Sequence, residues 1–159
     1  MIGQSQTATS VTYVHSSSPS FKSQLLQSLM TVVGKKKDIE KRIKSNRYPS
    51  QPTEPTSDLI SDFNTEIRNI NKRKVWTFTP KQSSSSKVIL YIHGGGYISN
   101  LTKYDWDLVH ELLEKTNCSI IVPDYPLAPF SNYKDVYAYF EELYNAILNE
   151  TPSENIIFM

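Results

Sequence analysis

The most constraining feature of the sequence is the stretch Val88–Tyr97, in which a short apolar run leads directly into a histidine, three glycines and a tyrosine. The run Val88–Ile92 is rich in β-branched residues, which is typical of a strand buried on both faces of a parallel sheet. The glycines can adopt positive φ and let another group approach the backbone N–H donors closely. The stretch therefore predicts a buried strand that ends in a donor-rich loop, suited to hold an oxygen that carries negative charge.

The pattern around this strand predicts an α/β fold. A β-prone pair of segments with a polar turn between them precedes it and predicts a hairpin. Two segments with apolar residues at helical spacing follow it, each leading into a further apolar run. Strand, helix, strand, helix, strand is the order of a parallel sheet with right-handed crossovers. The predicted hairpin strands are Asp62–Ile70 and Lys74–Thr79, and the later strands are Ser119–Val122 and Asn155–Met159. The first helix is expected to be capped by Asn100 or Thr102, and the second by Ser131 or Asn132.

Two motifs carry a resemblance to a known family. His93-Gly94-Gly95-Gly96 after a hydrophobic strand resembles the HGGG motif of α/β-hydrolase esterases and lipases, in particular the hormone-sensitive-lipase-like branch. Asp124–Pro129 is similar to the Asp-Tyr-Arg-Leu-Ala-Pro segment of that branch, with Pro126 in place of Arg and Phe130 where Glu often follows. The resemblance covers the chain from about Phe63 to Met159. It implies the N-terminal portion of an α/β-hydrolase sheet, a hairpin then βαβαβ, preceded by cap-like helices.

The resemblance also implies roles for single residues. The N–H groups of Gly95 and Gly96 would form the oxyanion hole, Gly94 would permit the turn, and His93 would brace the loop, with Tyr97 completing the motif. Asp124 and Tyr125 directly follow the next strand, and by the resemblance they would anchor the loop that they begin. The alternative is purely structural: a glycine-rich turn can merely join a strand to a helix, and a loop aspartate often satisfies backbone donors.

The catalytic triad of such enzymes has no counterpart in this sequence. In the family, the serine lies in G-x-S-x-G, and the acid and the histidine follow it. The five glycines are Gly3, Gly34 and the three of the motif, so no such elbow is present. His15 falls in a polar segment and His110 on a predicted solvated helix face, and neither replaces the catalytic histidine. We therefore expect a chain that is inactive by itself and that needs neither a metal nor a cofactor.

Composition divides the chain into four regions. Residues 1–20 are rich in Ser, Thr and Gln and are expected to form a flexible polar arm. Residues 21–47 have apolar residues at helical spacing, and the resemblance implies that they form cap-like helices. Residues 48–61 form a Pro-rich linker, and residues 62–159 a truncated α/β-hydrolase domain.

Charge and cysteine content exclude several function classes. The formal net charge is +1, which gives no electrostatic argument for nucleic acid. No apolar run approaches the roughly 20 residues of a membrane span, and the first residues do not have the pattern of a secretory signal. Cys118 is the single cysteine and is expected to pack beside its strand. A cytoplasmic protein is expected.

Three functions remain open from the sequence. The first is the N-terminal part of a serine carboxylesterase or lipase-type hydrolase acting on small esters of short or medium acyl chains. The second is a non-catalytic remnant or interaction module, completing its sheet with a partner chain at the exposed Asn155–Met159 edge. The third is a nucleotide- or phosphate-binding domain. It is disfavoured because the glycines match neither G-x-G-x-x-G nor the P-loop pattern.

Overall fold

The computed structural model divides the chain into two compact units, Met1–Arg47 and Tyr48–Met159. It describes residues 20, 21, 24, 25, 28, 35–45, 48, 52–82 and 85–159. In the first unit, helix α1 spans Lys35–Ser45, and Phe21, Gln24, Leu25 and Ser28 are also helical. The predicted polar arm lies outside the described residues apart from Ser20. The described apolar side chains of this unit are exposed, Phe21 by 80% and Ile43 by 51%.

The second unit is a five-stranded mixed sheet with helices on both faces. Its strands lie in the order β1-β2-β4-β3-β5. The pairs β1–β2 and β2–β4 are antiparallel, whereas β3 pairs in parallel with β4 and with β5. In chain order the elements are α2 (Ser57–Asp62), β1 (Asn64–Ile70), β2 (Arg73–Thr79), β3 (Val88–Leu90), α3 (Lys103–Thr116), β4 (Ser119–Pro123), α4 (Tyr133–Leu148), a 3₁₀ turn (Ser153–Asn155) and β5 (Ile156–Phe158).

The side chains of the central strands divide the core into two clusters because successive residues of a strand face opposite sides. Ile89 and Ile120 belong to a cluster that contains Trp106, Val109 and Leu113 of α3. Their neighbours along the strands, Leu90 and Ile121, belong to a second cluster with residues of α4, namely Tyr139, Leu143 and Ile147. The two helices therefore pack on opposite faces of the sheet. Cys118 is buried in the first cluster, as expected.

The topology explains why the helices lie on opposite faces. From β3 the chain crosses through α3 to β4 on one side, and from β4 it returns through α4 to β5 on the other side of β3. Because the direction of winding reverses, two right-handed crossovers must place their helices on opposite faces. The loops that follow β3 and β4 consequently leave the sheet in opposite directions. Such a switch point opens a crevice at the carboxyl ends of the two strands.

Polar side chains define where both long helices begin. Thr102 is the N-cap of α3, and its N–H donates to Asp105 Oδ2 at 2.8 Å. Asn132 is the N-cap of α4; its N–H donates to Asp135 Oδ2 at 2.8 Å, and its Oδ1 accepts from the Lys134 N–H at 2.9 Å. Of the two caps predicted for each helix, the structure therefore selects Thr102 over Asn100 and Asn132 over Ser131. Among the described helices, none has the length and apolar character required to cross a membrane.

The structure differs from the sequence-based expectation at the start of this unit. A short helix, α2, lies among the residues predicted as linker, so β1 begins at Asn64 rather than Asp62. Leu59 of α2 is fully buried in the core, which explains why this segment is ordered. His110 is only partly solvated, because α2 brings Asp62 beside it. Its Nε2 lies 3.0 Å from Asp62 Oδ2, and its ring packs edge-on against Phe63.

Candidate functional site

Two loops meet at the carboxyl ends of the parallel strands β3 and β4. The glycine loop, His93–Tyr97, continues the line of β3, and the Asp124–Pro129 loop follows β4. Strand β3 is shorter than predicted, but its backbone hydrogen bonds continue to the glycine loop. The N–H of Tyr91 donates to Ile121 O at 2.9 Å, and the N–H of Ile92 donates to Met159 O at 2.8 Å. The hydrogen bonds of the sheet therefore extend to Ile92, the residue that directly precedes the glycine loop.

The backbone of the glycine loop enters the positive-φ region that favours glycine. Gly95 has φ of 120° and Gly96 has φ of 64°, and Tyr97 follows with φ of 66°. A Cβ on Gly95 would lie 2.8 Å from Ser99 Cβ and 2.9 Å from Ser99 O. Gly94 is outside the positive-φ region, and a Cβ there would meet nothing within 4 Å. The requirement for glycine is therefore strongest at Gly95, and the expectation that Gly94 permits the turn was wrong.

The amides of Gly95 and Gly96 are available to a ligand. Both residues are exposed, and within the described part of the chain neither N–H donates to a protein acceptor. The carbonyl of Gly95, by contrast, accepts hydrogen bonds from the N–H groups of Ile98 at 3.3 Å and Ser99 at 3.1 Å. The loop therefore satisfies its acceptor internally and leaves two adjacent donors open.

His93 is a buried, neutral support of this loop. Its Nδ1 lies 2.8 Å from Gly94 O, and because a carbonyl oxygen can only accept, Nδ1 carries the proton. Nε2 is then an acceptor, and it is buried without a partner among the described residues. Burial lowers the pKa of His93 and outweighs the opposing effects of the Gly94 carbonyl, Asp105 and Asp124. A histidine in this state binds its own loop and is poorly placed to accept a proton from substrate.

The Asp124–Pro129 loop contacts the glycine loop at two points. The Tyr125 hydroxyl donates to His93 O at 2.7 Å, and the Tyr125 ring stacks on the His93 ring with centroids 4.5 Å apart. The N–H of Ala128 donates to Tyr97 O at 3.0 Å. The glycines therefore lie between two residues whose carbonyl groups are both hydrogen-bonded to the neighbouring loop.

Asp124 joins the same loop to the hairpin. Its N–H donates to Lys74 O at 2.9 Å, and its carboxylate accepts from Arg73 Nη1 at 3.3 Å. Burial raises the pKa of Asp124, and the Arg73 guanidinium opposes that effect. A polar cavity of about 480 Å³ at the hairpin turn is lined by both residues. Asp124 is thus bonded to β2 and does not hydrogen-bond to the glycine loop.

The structure brings together most of the residues that the sequence singled out, and it adds three others. His93, Gly94, Gly95, Gly96, Tyr97 and Tyr125 lie in the two adjoining loops, whereas the Asp124 carboxylate is bonded to the hairpin. Sequence reasoning missed the roles of Arg73, Ser99 and Ala128. Ala128 lay inside the second motif, which was a usable signal. Nothing in the local pattern of Arg73 or Ser99 indicated a contact with a distant segment.

Residues 89–158 match the model of a family described as having the alpha/beta hydrolase fold. Two curated relatives match over 67 residues. They are vegetative-specific protein H5 of Dictyostelium discoideum, 37% identical over 40% of this chain and 19% of that protein, and an esterase of Acinetobacter venetianus, 31% identical over 42% of this chain and 22% of that protein. The matched part therefore spans about a fifth of each relative.

Solved structures agree with this assignment. A proposed esterase from Staphylococcus aureus superimposes with a TM-score of 0.63 at 25% identity, over 78% of this chain and 42% of that one. An esterase of the bacterial hormone-sensitive lipase family superimposes with a TM-score of 0.52 at 18% identity, over 67% of this chain and 36% of that one. Residues 89–158 therefore match an α/β-hydrolase family, and the five-stranded sheet with its helices corresponds to the N-terminal part of the α/β-hydrolase fold.

Proposed function

We propose that the glycine loop is the oxyanion-binding element of an ester hydrolase, with the N–H groups of Gly95 and Gly96 as its donors. The observation that carries the proposal is the pair of adjacent, exposed amides without an acceptor in the described chain. They lie at the carboxyl ends of the parallel strands β3 and β4, the place where α/β sheets bind ligands. The match of residues 89–158 to an α/β-hydrolase family supports the same role.

The chemistry fits this arrangement. Attack on an ester carbonyl places negative charge on the carbonyl oxygen, and fixed N–H donors stabilise that charge. Removing one such donor typically costs about 2.7–4 kcal/mol of transition-state stabilisation. The loop meets the requirement of fixed donors because its backbone is held at His93 and Tyr97 by the neighbouring loop. His93, neutral and bonded within its own loop, would brace the donors.

The complete protein would hydrolyse small esters of short or medium acyl chains through a serine acyl-enzyme, without a metal or cofactor, in the cytoplasm. The 159-residue chain carries no G-x-S-x-G. On this proposal it does not turn over esters by itself, since an oxyanion hole stabilises a transition state that a nucleophile must first create.

An interaction module is the second candidate, and the edge of the sheet favours it. Strand β5 pairs with β3 on one side and forms the edge of the described sheet on the other. Its apolar side chains are exposed, Ile157 by 45% and Phe158 by 58%. Another strand, from the same protein or from a partner chain, would satisfy this edge and cover those side chains.

The test is hydrolysis of p-nitrophenyl acetate by the 159-residue chain and by the native product isolated from its source cells with an antibody against residues 21–45. We expect a native product larger than 18.2 kDa that hydrolyses the ester, and no hydrolysis by the short chain. In a recombinant copy of the native product, Gly96→Pro removes one donor and also excludes the φ of 64° found at Gly96, so kcat should fall by at least about 10²–10³-fold. Gly94→Ala is the matched control, because its Cβ meets nothing within 4 Å.

Each result has a distinct meaning. Hydrolysis by the short chain above that of its own Gly96→Pro variant would contradict its inactivity. An active native product that tolerates Gly96→Pro would contradict the oxyanion role of the loop. A native product of 18.2 kDa without hydrolysis would favour the interaction module.

A further inference from the structure

The two hydrogen bonds that join the loops have different kinds of donor, a backbone N–H in one and a side-chain hydroxyl in the other. At the far end, the N–H of Ala128 donates to Tyr97 O at 3.0 Å, a contact that any residue except proline could make. At the near end, the donor is a side chain: the Tyr125 hydroxyl lies 2.7 Å from His93 O in a buried setting. A backbone carbonyl that is held by one particular side chain depends on the identity of that residue.

We propose that Tyr125 is a positioning residue of the glycine loop, which fixes the Gly95 and Gly96 amides by holding the His93 carbonyl. The inference rests on the proposed function for its catalytic meaning. The structural part of it, the order of the glycine amides, can be measured without any ester turnover.

Packing fixes the position of Tyr125 itself. Its side chain is buried, its ring stacks on His93 at an interplanar angle of 27°, and it contacts Phe140 of α4 at 5.5 Å between centroids. The hydroxyl is therefore aimed by a ring that is held on two sides. Burial also raises the pKa of Tyr125, which keeps the phenol protonated and able to donate.

The hydrogen bond from Tyr125 matters because it fixes His93, on which part of the loop's internal bonding depends. Within the loop, His93 Nδ1 lies 2.8 Å from Gly94 O, and Gly95 O accepts from the N–H groups of Ile98 and Ser99. A hydrogen bond to His93 O fixes the peptide plane between His93 and Gly94, and the bond to Tyr97 O fixes the plane after Tyr97. Between them lie three exposed glycines, of which Gly95 and Gly96 have positive φ. Glycine has more accessible backbone conformations than any other residue. Loss of the hydrogen bond to His93 O should therefore let the N–H groups of Gly95 and Gly96 sample several directions.

The experiment compares Tyr125→Phe with Tyr139→Phe in the 159-residue chain by ¹⁵N relaxation at Gly95 and Gly96. Tyr139 is the matched control: it is also buried, it belongs to the same core cluster, and its hydroxyl has no partner among the described residues. We expect order parameters of about 0.85 for both amides in the parent chain and below about 0.6 in Tyr125→Phe. Tyr139→Phe should leave them unchanged.

Thermal unfolding of both variants separates positioning from plain stabilisation. If Tyr125→Phe unfolds at a lower temperature but keeps rigid glycine amides while folded, the hydroxyl stabilises the core only and the inference is overturned. If both variants loosen the loop equally, the effect is not specific to Tyr125 and the inference also fails.

A second variant covers the case in which Tyr125→Phe does not fold. Replacing Tyr125 with 3,5-difluorotyrosine keeps the ring and lowers the pKa of the phenol, so that raising the pH converts the donor into an anion facing His93 O. The Gly95 and Gly96 signals should then change with that ionisation. Unchanged signals across the ionisation would overturn the inference.

The native product gives the catalytic readout. There, Tyr125→Phe should lower kcat by about 10²-fold, the cost typical of a small misplacement of catalytic groups, with little change in KM. If the native product does not hydrolyse esters at all, the proposed function fails. The relaxation experiment still tests whether Tyr125 positions the glycine amides. If hydrolysis is intact in Tyr125→Phe, the positioning inference fails and the proposed function survives.

Discussion

At the level of single residues, the glycine loop makes different demands on its three glycines. Gly95 combines φ of 120° with a Cβ position 2.8 Å from Ser99 Cβ, whereas Gly94 has neither restriction. Gly95→Ala should therefore destabilise the chain by about 1–3 kcal/mol, the usual cost of a non-glycine residue in a sparsely populated backbone region. Gly94→Ala should change stability by less than about 0.5 kcal/mol.

Urea unfolding followed by circular dichroism measures both free energies of unfolding. The two variants add the same methyl group one residue apart, so helix or strand propensity cannot separate them. Equal free energies for Gly94→Ala and Gly95→Ala would show that the loop relaxes around the added methyl group, and that its backbone does not specify glycine.

His93 should make folding stability depend on pH. Burial lowers the pKa of His93 in the folded chain below its value of about 6.5 in the unfolded chain. Below that pH the unfolded chain binds a proton that the folded chain does not. The contribution of His93 to the free energy of unfolding is therefore complete above about pH 6.5 and is lost as the pH falls. We expect the free energy of unfolding to be lower at pH 5.5 than at pH 7.5.

His93→Asn isolates this contribution. Asparagine keeps an N–H donor near Gly94 O, which His93 Nδ1 contacts at 2.8 Å, but it does not titrate. The difference between the two pH values should therefore be smaller in His93→Asn than in the parent chain. An identical difference in both proteins would mean that other groups cause the pH dependence.

At the level of elements, the β1–β2 hairpin contains a strained turn. Ile70 pairs with Arg73, so the loop consists of Asn71 and Lys72, with φ of 49° and 66°. Two-residue hairpin loops of this kind favour Asn-Gly, because a Cβ at positive φ is unfavourable. Lys72→Gly should stabilise the chain by about 1 kcal/mol.

Lys72→Ala is the control for that change, since it removes the same charge and keeps the Cβ. Thermal unfolding should give a higher midpoint for Lys72→Gly and no increase for Lys72→Ala. An equal rise in both would assign the effect to the charge of Lys72, which lies beside Arg73 and Lys74, and not to the backbone of the turn.

The elements show which parts of this fold can be predicted from the sequence. The central strands and the two long helices were predicted because apolar periodicity and capping residues are local signals. The helix Ser57–Asp62 was missed because it is short and its single fully buried residue, Leu59, gives no periodicity. The glycine loop was recognisable from its residues, but the bonds from Tyr125 and Ala128 depend on the packing of a segment some 30 residues away.

At the level of the whole molecule, the two edges of the described sheet have opposite character. The β1 edge contains Glu66 and Arg68 among polar residues, which discourages pairing with another chain. The β5 edge is uncharged and apolar. Beside it, an apolar groove of about 580 Å³ runs between α4 and the strands and is lined by Ile92, Phe140 and Phe158 among others. The interior is thus closed by α3 on one face and left open beside α4 on the other.

This asymmetry predicts that the 159-residue chain self-associates through β5. Ile157 is 45% exposed on β5, and Ile67 is 54% exposed on β1, so the two residues allow the same substitution at opposite edges. Ile157→Lys places a charge on the open edge and should shift the chain towards monomer in sedimentation velocity across a concentration series. Ile67→Lys should leave the distribution of the parent chain unchanged. A parent chain that stays monomeric at all concentrations, or two variants that act alike, would show that the β5 edge does not pair.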